Sequence, residues 1–169
     1  TLERASAVHP ISALQSEFSL WSRHLEVDIL AACKRLGIGL VPYSPLGRGF
    51  LTGSIKSRED LEKGDWRLNN PRFSEDNFHH NLTLVDSINQ FANTKKCSPA
   101  QLALAWILHQ GEDYVPIPGT RSVERLIENA GATSVILSPL ELDEINQLIP
   151  ADLVFGERYP EAMMSSLDK

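Results

Sequence analysis

The stretch Tyr43-Ser44-Pro45-Leu46-Gly47-Arg48-Gly49 decides the fold, because it leads from a short β-type run into a glycine-rich loop. A second phrase, Pro118-Gly119-Thr120-Arg121, also follows a β-type run and then opens a helix. Glycine lets the backbone come close to a ligand, and the N–H groups at a helix start attract anions. The two phrases together predict two neighbouring anion-binding loops at one end of a parallel barrel, facing one phosphorylated ligand.

The segments around these loops alternate between strand and helix patterns. Ile11 to Gln15 and Ile38 to Tyr43 are predicted strands. Between them, Glu26 to Leu36 carries apolar residues at helical spacing, and Gly37 stops this helix. Tyr114 to Ile117 is the third predicted strand. Strands that alternate with helices through tight connections indicate a parallel α/β fold.

Four further helices are predicted from apolar residues at helical spacing and from helix-capping sequences. One has apolar residues on a single stripe, at Phe78, Leu82, Val85, Ile88 and Ala92. Two begin with a capping box and a proline at the first position, at Ser98-Pro99-Ala100-Gln101 and at Ser138-Pro139-Leu140-Glu141. The helix from Ser98 to about His109 is apolar nearly all round and is predicted to be deeply buried. The fourth follows the third strand, from Ser122 to about Ala130.

Three strand–helix units cannot close a barrel, since a (β/α)8 barrel needs eight and about 250 residues. The chain begins at Thr1 in what the pattern indicates is the end of a helix, residues 1–10. Residues 1–169 are therefore predicted to be the C-terminal portion of one (β/α)8 barrel domain, with its last three β/α units and C-terminal helices. Residues 52–77 form a long polar loop of the kind that is usually functional or disordered, and residues 150–169 a tail with little pattern.

Composition excludes several classes of partner. The formal net charge of −6 argues against a nucleic-acid surface, which needs a basic face. A local basic pocket remains, for which Arg48, Arg121 and Arg125 are the candidates. The longest strongly apolar stretch, Leu102 to Leu108, is far too short to span a bilayer. We therefore expect a protein that binds neither nucleic acid nor membrane.

No catalytic or metal site is predicted within the chain. Cys33 and Cys97 lack metal-type and redox-type spacing and fit small buried hydrophobes in a reducing cytoplasm. His79 and His80 are adjacent, so they point in different directions and cannot share a metal at helical spacing. No serine or cysteine has the setting of a nucleophile, and neither a P-loop nor a Rossmann fingerprint occurs.

For individual residues the pattern leaves alternatives open. Gly119 and its neighbours fit either a phosphate site or a plain helix cap beside a solvent-facing arginine. Tyr43 fits a platform for a flat ring or simple packing against a helix, and Gln15 an amide-binding group or a polar strand end. Glu128 and Asn129 fit contacts to an adenine amino group or a solvated helix face.

At these residues the chain resembles the C-terminal half of an aldo-keto reductase, in the plant and bacterial branch that includes perakine reductase and pyridoxal-reductase-like enzymes. The resemblance covers nearly the whole chain and rests on several long motifs in the right order. They are residues 13–21 (ALQSEFSLW), 36–49 (LGIGLVPYSPLGRG), 101–106 (QLALAW) and 116–121 (PIPGTR). It identifies the three predicted strands as the sixth, seventh and eighth of the barrel.

The resemblance implies NADPH as the cofactor. Two arginines beside the 2′-phosphate favour NADPH over NADH, since a guanidinium pairs bidentately with a phosphate. The loop at residues 52–77 would fold over the cofactor, with Arg72 a weaker candidate contact. The implied cofactor-binding residues are Gln15 and Tyr43 at the nicotinamide, Ser44, Pro45, Leu46, Gly47 and Arg48 at the pyrophosphate, Gly119, Thr120, Arg121 and Arg125 at the 2′-phosphate, and Glu128 and Asn129 at adenine.

The activity that the resemblance implies is reduction of a small aldehyde or ketone to an alcohol. The family's catalytic Asp, Tyr, Lys and His come from the first four strands and have no match here, so the chain alone is expected to be inactive. Two other hypotheses stay open: a non-catalytic nucleotide-sensing homologue like the reductase-like partners of ion channels, and a chain that works only in an assembly. The second expects a homo-oligomer, because an open parallel sheet leaves unpaired backbone groups.

Overall fold

The computed structural model describes residues 1–165 and 167. Its two strands are β1 (Ala13–Glu17) and β2 (Gly39–Tyr43). The helices are α1 (Leu2–Val8), α2 (Ile29–Leu36), α3 (Glu75–Thr94), α4 (Pro99–Leu108), α5 (Val123–Gly131), α6 (Pro139–Leu148) and α7 (Glu161–Met164). Within the described residues, none of these helices has both the length and the apolar character that a membrane crossing requires.

The predicted pair of parallel strands is confirmed, with the first strand two residues later than expected. β1 and β2 pair in parallel, with Gln15 opposite Val41 and Glu17 opposite Tyr43. α2 connects them, so the strand–helix–strand order is also confirmed. Gly37 ends α2 in the left-handed conformation, with φ 67°. The carboxyl ends of both strands therefore meet at one edge of the sheet.

The third predicted strand is not a regular strand. Residues 114–117 run parallel to β2, and the N–H groups of Val115 and Ile117 donate to the Leu40 and Pro42 carbonyls at 2.9 and 3.0 Å. Pro42 in β2 has no N–H to donate to the Val115 carbonyl, so the ladder on this side is incomplete. The segment still brings its carboxyl end beside that of β2.

The capped helices form as predicted. Ser98 accepts from the Gln101 N–H while the Gln101 side chain accepts from the Ser98 N–H, and Ser138 and Glu141 form the same box at α6. α4 is buried around most of its circumference, as its apolar sequence predicts. It lies at the centre of the molecule, where Trp106 is fully buried.

The loop at residues 52–77 is ordered by short 3-10 turns at Arg58–Asp60, Trp66–Asn69 and Pro71–Phe73, and α3 begins at its end. Its last turn is anchored by Phe73, whose ring centroid lies 5.0 Å from that of Phe50. Phe50 in turn lies 4.9 Å from Phe78 and 5.0 Å from Trp21. This aromatic cluster fixes the base of the loop to the core.

Candidate functional site

The two glycine-rich loops meet in one cleft of about 860 Å³. One wall is the loop after β2, and the other is formed by residues 117–120 and the first turns of α5. The long loop at residues 52–77 supplies the remaining side. Nine of the predicted cofactor residues line this cleft: Ser44, Pro45, Leu46, Arg48, Gly119, Thr120, Arg125, Glu128 and Asn129.

The loop after β2 has a strained backbone that keeps it tightly turned. Ser44 and Arg48 have positive φ values of 50° and 57°, a conformation that costs about 1–2 kcal/mol for a residue with a Cβ. The loop closes through bonds from the Gly47 N–H to the Ser44 carbonyl and from the Gly49 N–H to the Leu46 carbonyl, each 3.0 Å long. Such strain persists where surrounding structure fixes it, and it is concentrated at ligand-binding loops.

The other wall combines a helix start with positive charge. Ser122 caps α5 by accepting from the Arg125 N–H at 3.2 Å, and Thr120 accepts from the Ser122 N–H at 3.1 Å. The first N–H groups of a helix point outward and carry partial positive charge, which favours an anion. Arg125 is exposed and lines the cleft one turn further on, so this end of the cleft suits a phosphate.

Four predicted residues do not line the cleft. Gln15 is exposed on β1, and Arg121 is exposed in the turn before α5. Gly47 is buried beneath the indole of Trp21. Tyr43 lies at the end of β2 and its hydroxyl hydrogen-bonds that of Tyr159 at 3.0 Å. Burial raises the pKa of Tyr43 above its ordinary value, and the bond to Tyr159 raises it further, so Tyr43 remains a neutral phenol.

Arg48 contributes to the lining of the cleft, but its side chain points into the protein interior. The guanidinium, with 5% of the side chain exposed, pairs with the fully buried carboxylate of Glu17 at 3.2 Å. It lies between the rings of Trp66 and Tyr159, 5.3 and 4.9 Å from their centroids. Its NH1 atom is buried and has no hydrogen-bond partner among the described residues. The positive charge of Arg48 therefore lies beneath the glycine-rich loop.

The suggestion that Arg72 contacts the ligand is wrong for this structure. Arg72 is buried, donates to the Ser22 hydroxyl at 2.7 Å and lies 3.8 Å from Glu17. Burial lowers the pKa of Arg72 to about 10, partly offset by Glu17, so it stays charged at neutral pH. The hydrophobic neighbours Pro71 and Phe73 pull this segment into the core, which the polar composition of the loop concealed.

Arg67, from the same loop, lines the cleft instead. Its NH1 donates to the Arg48 carbonyl at 3.0 Å, which ties the long loop to the glycine-rich loop. Asp65 holds the other side of this guanidinium through bonds of 2.5 to 3.1 Å, and the interaction lowers the pKa of Asp65. The sequence signal for Arg67 was a short Asp-x-Arg spacing inside a long polar stretch, and such spacing is common in surface loops.

Comparison with known proteins shows the family of this chain. The profile of the Aldo/keto reductase family matches residues 1–150. The chain belongs to the aldo/keto reductase family. The predicted family is thus confirmed, and so is the predicted fold class, an α/β chain that forms part of a (β/α)8 barrel.

Three solved structures show how much of an aldo/keto reductase the chain represents. A glycerol dehydrogenase from Gluconobacter oxydans is 25% identical with a TM-score of 0.79, over 89% of this chain and 46% of that one. A thermostable aldo-keto reductase solved with the inhibitor epalrestat is 28% identical, with a TM-score of 0.63, over 87% and 44%. A Klebsiella pneumoniae aldo-keto reductase solved with NADPH is 26% identical, with a TM-score of 0.57, over 82% and 39%. The chain spans less than half the length of each.

Proposed function

We propose that this chain is the C-terminal, cofactor-binding part of an NADPH-dependent aldo-keto reductase that reduces aldehydes or ketones to alcohols. The observation that carries the proposal is the single cleft between the loop after β2 and the start of α5. The wall at the start of α5 presents the N–H groups of a helix N-terminus, and an arginine lies at each end of the cleft, Arg48 at the loop and Arg125 at the helix. A ligand with two separate phosphate groups matches this arrangement.

The proposed orientation of the cofactor places its phosphate groups next to the positive charges of the cleft. The pyrophosphate would lie on the loop that contains Ser44, Leu46 and Arg48, above the buried guanidinium. The adenosine 2′-phosphate would lie at the start of α5 against Gly119, Thr120 and Arg125. Adenine would contact Glu128 and Asn129 one turn deeper. The Klebsiella structure contains NADPH, which supports the same cofactor for a chain with this cleft.

The nicotinamide end would extend past the cleft to the carboxyl edge of β1 and β2. Tyr43 lies at the last position of β2, where its ring can receive a flat heterocycle. Gln15 lies on the adjacent strand, two residues before its end, with an exposed amide side chain that suits the nicotinamide carboxamide. Pro45 and Gly47 shape the turn between this end and the pyrophosphate, and Arg121 adds positive charge near the 2′-phosphate.

The loop at residues 52–77 is proposed to cover the bound cofactor. Six of its residues face the cleft: Thr52, Ser54, Ile55, Asp60, Leu61 and Arg67. Ile55 and Leu61 are apolar and buried, while the other four are polar, so the side of the loop toward the cleft combines an apolar anchor with polar groups. That division suits a segment that excludes water from a charged ligand.

The chemistry would be divided between this chain and residues outside it. Bound NADPH would supply a hydride to the carbonyl carbon of a small substrate. This chain would bind and orient the cofactor, while the proton for the alcohol oxygen would come from a group outside residues 1–169. The chain alone is therefore proposed to be inactive. Its two thiols, Cys33 and Cys97, are unpaired, which fits the proposed location in a reducing cytoplasm.

Replacing Arg125 by alanine tests the proposal in the full-length protein. Loss of an exposed guanidinium–phosphate contact of about 1.4 kcal/mol weakens NADPH binding about tenfold. NADH lacks the 2′-phosphate, so its affinity should hardly change. Arg35→Ala is the matched control, since Arg35 lies on α2 with 58% of its side chain exposed. If Arg125→Ala weakened the binding of NADPH and NADH equally, or of neither, the placement of the 2′-phosphate at the start of α5 would be refuted.

Turnover separates an enzyme from a nucleotide sensor. The full-length protein should oxidise NADPH when a simple aldehyde is added, with loss of absorbance at the nicotinamide band. Tight NADPH binding without oxidation across a panel of aldehydes and ketones would favour the non-catalytic, channel-subunit-like alternative. Sedimentation of the 169-residue chain by itself would show whether it forms the homo-oligomer that its open sheet edges favour, and a stable soluble monomer would count against that expectation.

A further inference from the structure

The segment after α6 forms a strap that crosses the base of the long loop and ends at β2. We define the strap as residues 153–159. The Phe155 N–H donates to the Asn81 side chain at 2.9 Å, and the Asn81 amide donates back to the Phe155 carbonyl at 2.8 Å. Asn81 is fully buried on α3. A paired amide contact of this kind holds an extended backbone as a neighbouring strand would.

Further contacts fix the strap along its length. Arg72 donates to the Gly156 carbonyl at 3.3 Å, and the Asn70 amide donates to the Arg158 carbonyl at 2.9 Å. A Cβ on Gly156 would lie 2.7 Å from the backbone carbon and oxygen of Pro71, so the strap is in direct backbone contact with the long loop. Arg158 itself is 8% exposed. The strap is therefore held in place by specific contacts, even though its sequence shows little secondary-structure pattern.

The strap delivers Tyr159 to the end of β2. The Tyr159 hydroxyl lies 3.0 Å from that of Tyr43, and its ring lies 4.9 Å from the Arg48 guanidinium. One side chain thus contacts both residues that flank the turn between the proposed nicotinamide and pyrophosphate positions. Tyr43 has two rotatable side-chain bonds, and a fixed hydroxyl removes most of that freedom before a ligand arrives.

We propose that Tyr159 is a positioning residue for the nicotinamide end of the site, acting through Tyr43. The proposal rests on the cofactor orientation proposed above. With its hydroxyl held, the Tyr43 ring is oriented in advance to receive a flat ring on its face. When the bond is lost, Tyr43 must be ordered by the ligand itself, and the affinity falls by that cost.

The experiment compares two ligands on the full-length protein by calorimetry. NADPH reaches Tyr43, whereas adenosine 2′,5′-bisphosphate ends before it and contacts only the adenosine side of the cleft. Tyr159→Phe removes the hydroxyl and keeps the ring, so the packing on Arg48 is retained. We expect NADPH binding to weaken about two- to tenfold, the usual range for one neutral hydrogen bond. The affinity for adenosine 2′,5′-bisphosphate should not change.

Two further variants sharpen the result. Gly156→Ala displaces the strap without touching either tyrosine and should give the same selective loss for NADPH. Tyr114→Phe is the matched control, because Tyr114 is also half-buried and its hydroxyl has no hydrogen-bond partner among the described residues. Unchanged NADPH affinity in Tyr159→Phe, or equal weakening of both ligands, would overturn the positioning role. Failure of the unaltered protein to bind either ligand would instead remove the proposed function and this inference together.

Discussion

Gly47 lies where the loop after β2 passes over Trp21, and replacing it with alanine gives a prediction that the structure makes quantitative. Its φ is 57°, and a Cβ built on it would lie 2.5 Å from the indole nitrogen and 2.6 to 2.7 Å from two ring carbons. Trp21 is 2% exposed and packs against Phe50, so the ring has no open space to move into. Either the loop or the aromatic cluster must shift.

The expected loss has two parts. A residue with a Cβ in the left-handed region costs about 1–2 kcal/mol. Overpacking a rigid core typically costs about 1–3 kcal/mol more. Gly47→Ala should therefore lower the free energy of unfolding by about 2–5 kcal/mol. Gly37→Ala is the matched control, since Gly37 has a similar φ of 67° and no atom within 4 Å of the built Cβ. It should lose about 1–2 kcal/mol, the backbone part alone.

Urea denaturation of the two variants and the unaltered protein measures the difference directly. If the slope of unfolding free energy against urea is unchanged, the shift in midpoint reports stability alone. The gap between the variants isolates the contact with Trp21, and combining Gly47→Ala with Trp21→Phe should recover part of it. A gap below about 0.5 kcal/mol, within the usual error of additivity, would refute the packing argument.

Two further predictions concern charge. Glu17→Gln leaves the buried guanidinium groups of Arg48 and Arg72 without a carboxylate, so it should lower the free energy of unfolding by about 3–5 kcal/mol in urea denaturation. Glu141 has its pKa lowered to about 2 by its bond to Lys95 and by the Ser138 N–H. Because the folded pKa lies below the unfolded one, this contribution is complete above about pH 4.5 and fades as the pH falls towards 2. Glu141→Gln should thus flatten the fall of the melting temperature across that range.

The exposed carboxylate of Glu75 provides the control for Glu17→Gln. Glu75→Gln removes a carboxylate that is 87% exposed and 3.8 Å from Arg58, so it should change stability by less than about 1 kcal/mol. A Glu17→Gln variant as stable as Glu75→Gln would contradict the account of the buried cluster. A melting profile between pH 4.5 and pH 2 that is identical with and without the Glu141 carboxylate would show that its bond to Lys95 contributes nothing.

Local chemistry explains which parts of the fold were predictable. Ser98 and Ser138 begin their helices as predicted, because a cap, a proline and a glutamine or glutamate act within four consecutive residues. Gly37 ended α2 for an equally local reason. The prediction of a third regular strand failed because Pro42 of β2 has no N–H to donate to the Val115 carbonyl, which hydrophobicity alone does not reveal.

The candidate site was predictable where it depends on backbone loops and less so where it depends on distant side chains. Both glycine-rich phrases line one cleft, as their position after β-type runs indicated. The roles of Arg67 and Arg72 within one loop could not be separated from the sequence, since the buried partner of Arg72, Glu17, lies 55 positions earlier. The contact between Tyr43 and Tyr159 spans 116 positions and has no local signal.

Calorimetric titration of the full-length protein with NADPH and with NADH tests the central claim most directly. If the cleft places a 2′-phosphate at the start of α5, NADPH should bind about ten times more tightly than NADH, or better. Equal affinities for the two nucleotides, or no heat of binding with millimolar NADPH, would contradict it.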